Sequence, residues 1–179
     1  MNAGRGYFSS IIAHALKGSG LVYAHTSPMS IERWKGNPIE KRLNQFPQDN
    51  VVPVEGEMET PNFPETLDKI FNIMTYHDSV WTKADRSAMN KTIFESLNPG
   101  GIYGILDHNA QEGQGIDDCH EIHRIEKKFV INEIISSGFI LDEESQILEN
   151  PDDDLSSMVF EKHIRDQTSR FLLKFKKPW

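Results

Sequence analysis

The sequence of 179 residues contains a single cysteine, Cys119. One cysteine can form no disulfide within the chain and cannot build a Cys-rich zinc site. No apolar run approaches the roughly 18 residues that a membrane-spanning helix needs. Residues 1–17 lack the charged start, apolar centre and cleavage site of a signal peptide. We therefore expect a cytoplasmic protein that is stabilised by its buried core alone.

The sequence also has fewer basic than acidic residues. Nineteen lysines and arginines stand against 27 aspartates and glutamates, so the net charge is −8 with the histidines neutral. A surface with this charge repels the phosphates of nucleic acids and of anionic lipids. The composition thus argues against nucleic acid or an anionic membrane as the main partner.

Helical and strand-like patterns alternate along the chain, without internal repeats or low-complexity linkers. This alternation predicts a single α/β domain over residues 1–179, with a mostly parallel sheet covered by helices on both faces. The last two strands are predicted to form an antiparallel edge pair, and Pro38 is expected to kink or split one helix. Residues 150–154, with three consecutive aspartates, are typical of a solvated acidic loop. The predicted strands are residues 21–24, 51–54, 67–75, 102–106, 139–148 and 170–175, and the predicted helices are residues 7–16, 28–46, 82–97 and 120–137.

Ligands of such sheets bind beyond the carboxyl ends of the strands. Two predicted strand ends carry a histidine next to an aspartate, at residues 77–78 and 107–108. A histidine near a carboxylate is suited to proton transfer at neutral pH. Polar capping of the strand ends is the alternative, but the coincidence of two such pairs favours a site.

Two further segments have the chemistry of a binding site. Residues 3–6, with two glycines, open the first predicted helix, where a close backbone and free N–H groups can hold a carboxylate or phosphate. Residues 55–59 carry three glutamates that can accept hydrogen bonds from an adenine amino group or a ribose hydroxyl. A simple turn and a solvated acidic loop remain the respective alternatives.

A metal site is a weaker hypothesis. His120 and His123 are spaced to share one face of a predicted helix, and with Asp107 and His108 they can supply metal ligands. Their spacing matches no known zinc motif, so the sequence alone assigns no metal ligand. Cys119 beside them is more typical of a packed small side chain than of a nucleophile.

Taken together, these motifs resemble the class I S-adenosylmethionine-dependent methyltransferases, and within them a bacterial group of small predicted methyltransferases. The resemblance covers essentially the whole chain. It implies a Rossmann-like sheet that is mostly parallel with an antiparallel C-terminal strand. The stretches that carry it are NIMTYHDSVW (72–81), LNPGGIYGILDHNAQEGQG (97–115), HEIHRIEKKFVINEIISSGF (120–139) and ENPDDDLSSMVFEKHIRDQTSRFLLKFKKP (149–178).

The resemblance implies S-adenosylmethionine as the cofactor. Residues 3–6 match the second half of the glycine-rich motif that lies against its methionine part, and residues 56–59 match the segment that reads the adenine. Residues 72–77 match the strand end that faces the methyl group. The acid that the family places on the ribose is absent, and His25 or Thr26 stands there instead. The implied cofactor-binding residues are Ala3, Gly4, Gly6, Thr26, Glu57, Met58 and Asn72.

Methyl transfer to a small-molecule acceptor is the function that the resemblance implies. In an in-line displacement the protein chiefly positions donor and acceptor. A base is needed only when the acceptor must lose a proton, and His77 or His108 can serve. The alternative is a catalytically silent relative that works as a binding or assembly module. The implied catalytic residues are Tyr76, His77, Asp107 and His108, with His123 as a further substrate-side candidate.

The resemblance also implies that the sheet lacks the family's first strand, because this sequence starts inside the glycine-rich motif. In the family that strand is central. Its loss leaves unpaired N–H and C=O groups on the flanking strands, which is costly when they are buried. Three alternatives follow: the chain is a truncated version, the sheet re-pairs, or a second chain fills the gap by domain swapping or strand donation. The last alternative predicts a homodimer that completes the sheet.

Overall fold

The computed structural model describes every residue from Met1 to Trp179. The chain divides into two compact units, Met1–Glu65 and Thr66–Trp179. The prediction of a single domain over residues 1–179 stays a prediction. No helix has both the length and the apolar character that crossing a membrane requires.

The first unit contains three helices and a two-stranded parallel sheet. Its core is a cluster of small and branched side chains from α1, β1, α3 and β2. The elements are α1 (Tyr7–Ala15), β1 (Val22–Thr26), α2 (Pro28–Arg33), α3 (Pro38–Gln45) and β2 (Val51–Glu55).

Pro38 divides the segment that was predicted as one helix over residues 28–46. Proline is at the first position of α3, where its missing N–H costs no helical hydrogen bond. The side chain of Asn37 caps this helix by accepting a hydrogen bond from the backbone N–H of Ile39 at 2.9 Å. The expected split at the proline is therefore confirmed.

The second unit contains the remaining helices and a four-stranded sheet in the order β3-β4-β6-β5. β3 and β4 are parallel, and β6 runs antiparallel to both of its neighbours. β3, β4 and β5 thus share one direction, which confirms the prediction of a mostly parallel sheet with an antiparallel C-terminal strand. The elements are β3 (Leu67–Ile73), α4 (Tyr76–Trp81), α5 (Arg86–Ser96), β4 (Leu97–His108), a 3₁₀ turn (Asp117–Cys119), α6 (Lys127–Ser136), β5 (Ile140–Ser145) and β6 (Arg170–Lys176).

Two helices of this unit start elsewhere than predicted. The helix expected over residues 82–97 begins only at Arg86, as α5, and a separate helix α4 precedes it. Asp85 caps α5 by accepting from the backbone N–H of Ala88 at 3.0 Å. The helix expected from residue 120 begins only at Lys127. His123 adopts a left-handed backbone with φ of 58°, and Ile125 forms a parallel bridge with Asn109, so neither residue is helical.

Each sheet has strands with an unpaired edge. β1 pairs only with β2, and β3 pairs only with β4, so each of these strands keeps one unpaired edge. In a parallel α/β protein such edges are normally paired or covered. The absence of the family's first strand and its completion by a second copy stay predictions.

Candidate functional site

In the first unit, hydrogen bonds tie the glycine-rich loop to the ends of β1 and β2. The backbone N–H of Ala3 donates to the carbonyl of His25 at 2.7 Å, and the N–H of Asn2 donates to Nδ1 of His25 at 3.1 Å. Because Nδ1 accepts, Nε2 carries the ring proton, and it donates to the carbonyl of Gly56 at 2.9 Å. His25 thus joins three segments that were predicted to bind the cofactor, namely residues 3–6, the end of β1 and residues 56–59.

His25 holds these segments as a neutral ring. Its side chain is fully buried, and burial, followed by the charge of the Met1 amino group, lowers the pKa of His25 to about 4. Both ring nitrogens already have partners within the unit, so His25 has no atom left for a ribose hydroxyl. Thr26 is the candidate that remains, since its hydroxyl is buried without a hydrogen-bond partner.

The two glycines of the loop have different surroundings. Gly4 and Gly6 adopt left-handed φ values of 55° and 75°. A Cβ atom at Gly4 would meet nothing within 4 Å, whereas one at Gly6 would lie 3.0 Å from Arg42 and 3.1 Å from Ile39. Gly6 therefore serves packing at the start of α1, while the backbone at Gly4 is open to a ligand.

The loop after β2 depends on Gly56. A Cβ atom there would overlap the carbonyl oxygen of Thr60 and lie 2.8 Å from the carbonyl carbon of Pro61, so only glycine fits. After this turn Met58 is buried, with 6% of its surface exposed, while the side chain of Glu57 is exposed to solvent. The carboxylate of Glu57 can therefore accept a hydrogen bond from a ligand.

In the second unit, the two predicted His–Asp pairs meet at the carboxyl ends of β3 and β4, where His77 also contacts the aspartate of the other pair. Nδ1 of His77 lies 2.7 Å from Oδ1 of Asp107. Oδ2 of Asp107 accepts a hydrogen bond from the backbone N–H of His77 at 2.9 Å. Oδ1 of Asp107 also accepts one from the backbone N–H of His108 at 2.8 Å. A completely buried carboxylate thus fixes the ring of His77.

A second carboxylate and a second histidine flank the outer nitrogen of His77. Its Nε2 lies 3.3 Å from Oδ1 of Asp78 and 3.3 Å from Nδ1 of His123. Nδ1 of His123 lies 4.0 Å from Oδ1 of Asp78. We call the three residues His77, Asp78 and His123 the histidine cluster.

The opposite charges of His77 and Asp107 stabilise each other. Burial lowers the pKa of His77, but the charge of Asp107 and the hydrogen bonds to Asp107 and Asp78 outweigh it and raise that pKa to about 10. Burial raises the pKa of Asp107, but the charge and hydrogen bonds of His77 dominate and hold it below its ordinary value. His77 and Asp107 therefore form a buried ion pair at neutral pH.

The two other predicted catalytic residues have distinct surroundings. Nδ1 of His108 lies 2.7 Å from the hydroxyl of Thr168, and burial lowers the pKa of His108 to about 4, so this ring is neutral. Tyr76 is fully buried, and its hydroxyl donates to Glu133 at 2.8 Å and accepts from Asn90 at 2.7 Å. The hydroxyl of Tyr76 joins α4 to α5 and α6, which gives this residue a structural role, and its predicted catalytic role stays a prediction.

Asn72, the predicted cofactor residue of the second unit, is fully buried near the end of β3. Its side-chain oxygen accepts a hydrogen bond from the hydroxyl of Thr75 at 2.5 Å. Its amide nitrogen and the hydroxyl of Tyr103 are both buried without a well-formed hydrogen bond. A buried donor in this state is costly, and a ligand that accepts from it would remove the cost.

An ion pair that the sequence did not predict anchors His123. The neighbouring Arg124 is fully buried and donates to both carboxylate oxygens of Asp153, at 2.9 and 3.0 Å. Asp153 belongs to the acidic run that was expected to be solvated, and that expectation is wrong for this residue. Its partner is 29 residues away, so no local pattern revealed the pair.

The metal set considered from sequence, with His108, His120 and His123, is not assembled. His120 is exposed and lies 3.3 Å from its neighbour Glu121. Its predicted helical relation to His123 is wrong, because the intervening backbone is not helical. Cys119 is fully buried, and burial raises the pKa of its thiol to about 12, as suits a packed side chain.

No protein-family model matches the chain, and no curated protein matches its sequence. Many solved structures do share its fold. An S-adenosylmethionine-dependent methyltransferase from Aquifex aeolicus has a TM-score of 0.70 and 14% identity, covering 98% of this chain and 78% of its own. The glycopeptide N-methyltransferase MtfA, solved with S-adenosyl-L-methionine, has a TM-score of 0.67 and 15% identity, covering 99% and 80%. The [4+2]-cyclase SpnF has a TM-score of 0.69 and 11% identity, covering 99% and 73%.

The chain therefore has the Rossmann-like fold of the class I S-adenosylmethionine-dependent methyltransferases. This confirms the resemblance at the level of the fold. Because one fold hosts many reactions, the function rests on the residues of the site.

Proposed function

We propose that this protein transfers a methyl group from S-adenosylmethionine to a small-molecule acceptor. The observation that carries the proposal is the group of open polar positions at the carboxyl ends of β1 and β2. These are the backbone at Gly4, the unpartnered hydroxyl of Thr26 and the exposed carboxylate of Glu57. Methyltransferases with this fold, such as MtfA, have been solved with S-adenosyl-L-methionine.

The residues of the first unit fit this cofactor. The backbone of residues 3–6 holds its methionine part, and the hydroxyl of Thr26 donates to the ribose. The carboxylate of Glu57 accepts from the adenine amino group, while the backbone N–H of Met58 donates to an adenine ring nitrogen. S-adenosylmethionine supplies an activated methyl group on a positively charged sulfur. Asn72 is the proposed cofactor residue of the second unit.

We assign the acceptor to the histidines of the second unit. His77 is fixed by Asp107 and can position a polar group of the acceptor. His108 is the proposed base where an oxygen or nitrogen acceptor must lose a proton on methylation. Asp107 is a positioning residue in this proposal, because it acts only through His77.

A catalytically silent binding or assembly module is the second candidate. SpnF shows that this fold also occurs in a protein described as a cyclase. The unpaired edges of β1 and β3 favour strand pairing with a second copy. Light scattering of the full chain tests this assembly, and a stable dimer that ignores the cofactor would support the module. The cytoplasmic location expected from the sequence stays a prediction.

Thermal unfolding with S-adenosylhomocysteine, the product form of the cofactor, tests the methyl-transfer proposal. A ligand at 100 times its Kd stabilises the folded state by about 2.7 kcal/mol, which raises the Tm of a chain of this size by roughly 5–11 °C. The Glu57→Gln variant keeps an acceptor oxygen but loses the charge, so it should need roughly 5–10 times more ligand for the same rise, since a hydrogen bond to a charged group contributes roughly 1.5–3 kcal/mol and a neutral one about 0.5–1.5 kcal/mol. Glu32→Gln, at an exposed glutamate of α2, is the matched control.

The result that would contradict cofactor binding is an unchanged Tm at millimolar S-adenosylhomocysteine. An equal loss of affinity in Glu57→Gln and Glu32→Gln would show that binding does not involve the loop after β2. The unchanged Tm favours the silent module over the enzyme, whereas the equal loss argues only against the role of Glu57.

A further inference from the structure

Three donor atoms of the histidine cluster converge on one point. Nε2 of His77, Oδ1 of Asp78 and Nδ1 of His123 are separated by 3.3, 3.3 and 4.0 Å. In a tetrahedral zinc site with bonds of about 2.0–2.1 Å, the ligand atoms lie roughly 3.3–3.4 Å from one another. Two of the three separations already match that spacing. We propose that His77, Asp78 and His123 bind a divalent transition-metal ion, with Zn²⁺ as the representative ion.

Asp107 prepares His77 for this role. Its buried carboxylate already accepts two backbone N–H groups, so it is ionised and accepts the ring proton at Nδ1 of His77. The lone pair of a neutral His77 is then on Nε2, the atom that faces Asp78 and His123. A carboxylate behind a ligating histidine is the usual arrangement in protein metal sites, where it fixes the tautomer and the ring orientation.

The charges of the site favour a cation. The carboxylates of Asp78 and Asp107 together balance the two positive charges of one divalent ion. A proton on Nε2 of His77 competes for the same position, and metal binding releases that proton to solvent. The ligand set of two imidazoles and one carboxylate suits zinc and ferrous iron. Calcium and magnesium prefer sites made only of oxygen ligands.

The cluster is also accessible and held in place. The side chains of Asp78 and His123 are 32% and 28% exposed, whereas His77 is 5% exposed, so an ion enters from the side of the first two. Three protein ligands leave at least one coordination position for water or for an oxygen of a ligand. The ring of His123 packs 5.2 Å from that of Phe160, and the Arg124 ion pair fixes its backbone.

Metal binding by the full chain, purified without a histidine tag and stripped with a chelator, tests the proposal. Competition against a chromogenic chelator should show about one equivalent of Zn²⁺ bound. Co²⁺ in its place should give the intense visible absorption of a four-coordinate ion. Because the readout is metal binding, failure here leaves the methyl-transfer proposal unaffected, and failure of that proposal leaves this one unaffected.

Substitutions in the histidine cluster test whether the ion binds there. Asp78→Asn and His123→Gln should each raise the Kd for Zn²⁺ at least 10-fold, because loss of a ligand costs no less than loss of a second-shell partner, which costs roughly 10–100-fold. His120→Gln and Asp117→Asn, at exposed positions in the same segment, should change that Kd less than twofold. Circular dichroism checks that each variant is folded.

Two results would overturn the metal site. One is a wild-type protein that binds no Zn²⁺ and gives no visible Co²⁺ spectrum. The other is a Kd for Zn²⁺ that is unchanged in Asp78→Asn and His123→Gln. If either variant fails to fold, the wild-type Co²⁺ spectrum and the remaining variant still decide the question.

Discussion

Replacing Asp153 by alanine leaves the guanidinium of Arg124 buried without its counter-charge. Both side chains are completely buried and joined by two hydrogen bonds of 2.9 and 3.0 Å. The same carboxylate accepts the backbone N–H of Ser169 at 2.6 Å and that of Leu155 at 3.0 Å. One side chain therefore neutralises a buried charge and orders the long loop before β6.

The expected loss of stability is large. Breaking a buried ion pair by removing one partner costs roughly 3–5 kcal/mol, because the remaining charge has neither water nor a partner. For a chain of this size each kcal/mol lowers Tm by roughly 2–4 °C, so Asp153→Ala should melt roughly 6–20 °C lower. Asp152→Ala is the matched control, and as an exposed neighbour it should change stability by less than about 0.5 kcal/mol.

Urea unfolding of a double-mutant cycle with Arg124→Met measures this coupling. The double variant removes both charges, so it should be clearly more stable than the sum of the two single losses predicts. A loss below about 1 kcal/mol in Asp153→Ala would refute the reasoning, and so would strict additivity with Arg124→Met. Either outcome would mean that the guanidinium reaches water in the folded protein.

Three further predictions concern His25, Gly56 and Tyr76. Burial lowers the pKa of His25 to about 4, so the folded state favours the neutral ring. The resulting contribution to the free energy of unfolding is at most about 3 kcal/mol. It is fully present above about pH 6.5 and is lost as the pH falls toward 4. Urea midpoints across this range should therefore fall more steeply in the wild type than in His25→Gln, and parallel curves would contradict this. Gly56→Ala should lower the free energy of unfolding by about 1–3 kcal/mol, because the added methyl group overlaps the backbone. Gly20→Ala is the control and should change this free energy little, since its Cβ atom would meet nothing closer than 3.7 Å. Equal urea midpoints for the two variants would contradict the prediction. Tyr76→Phe should lower the free energy of unfolding by about 1–3 kcal/mol and leave the Kd for Zn²⁺ unchanged. A changed Kd would show that Tyr76 acts at the metal site as well as in packing.

Much of the fold was predictable from sequence because its signals are local. The alternation of buried strands with helices predicted the sheet, and Pro38 predicted the division into α2 and α3. Where the prediction failed, a distant partner determined the local structure. The bridge between Ile125 and Asn109 replaces the first turns of the helix expected from residue 120.

The site was predictable only in part. Sequence placed His77 and Asp107 at strand ends, but the contact between them depends on the pairing of β3 with β4. The structural role of His25 depends on partners 23 and 31 residues away, which no local pattern reveals. Asp78 follows His77 directly in the sequence, whereas His123 reaches them from a loop in which it adopts a left-handed backbone in place of the predicted helix.

The most direct test of the central claim is isothermal titration of the full chain with S-adenosylhomocysteine. We predict saturable binding to one site per chain. In Thr26→Val, which keeps the shape but loses the hydroxyl, the Kd should rise about fivefold, as expected for one neutral hydrogen bond of about 1 kcal/mol. Absence of heat at millimolar ligand, together with an unchanged Tm, would contradict the claim that this chain binds the methyl donor.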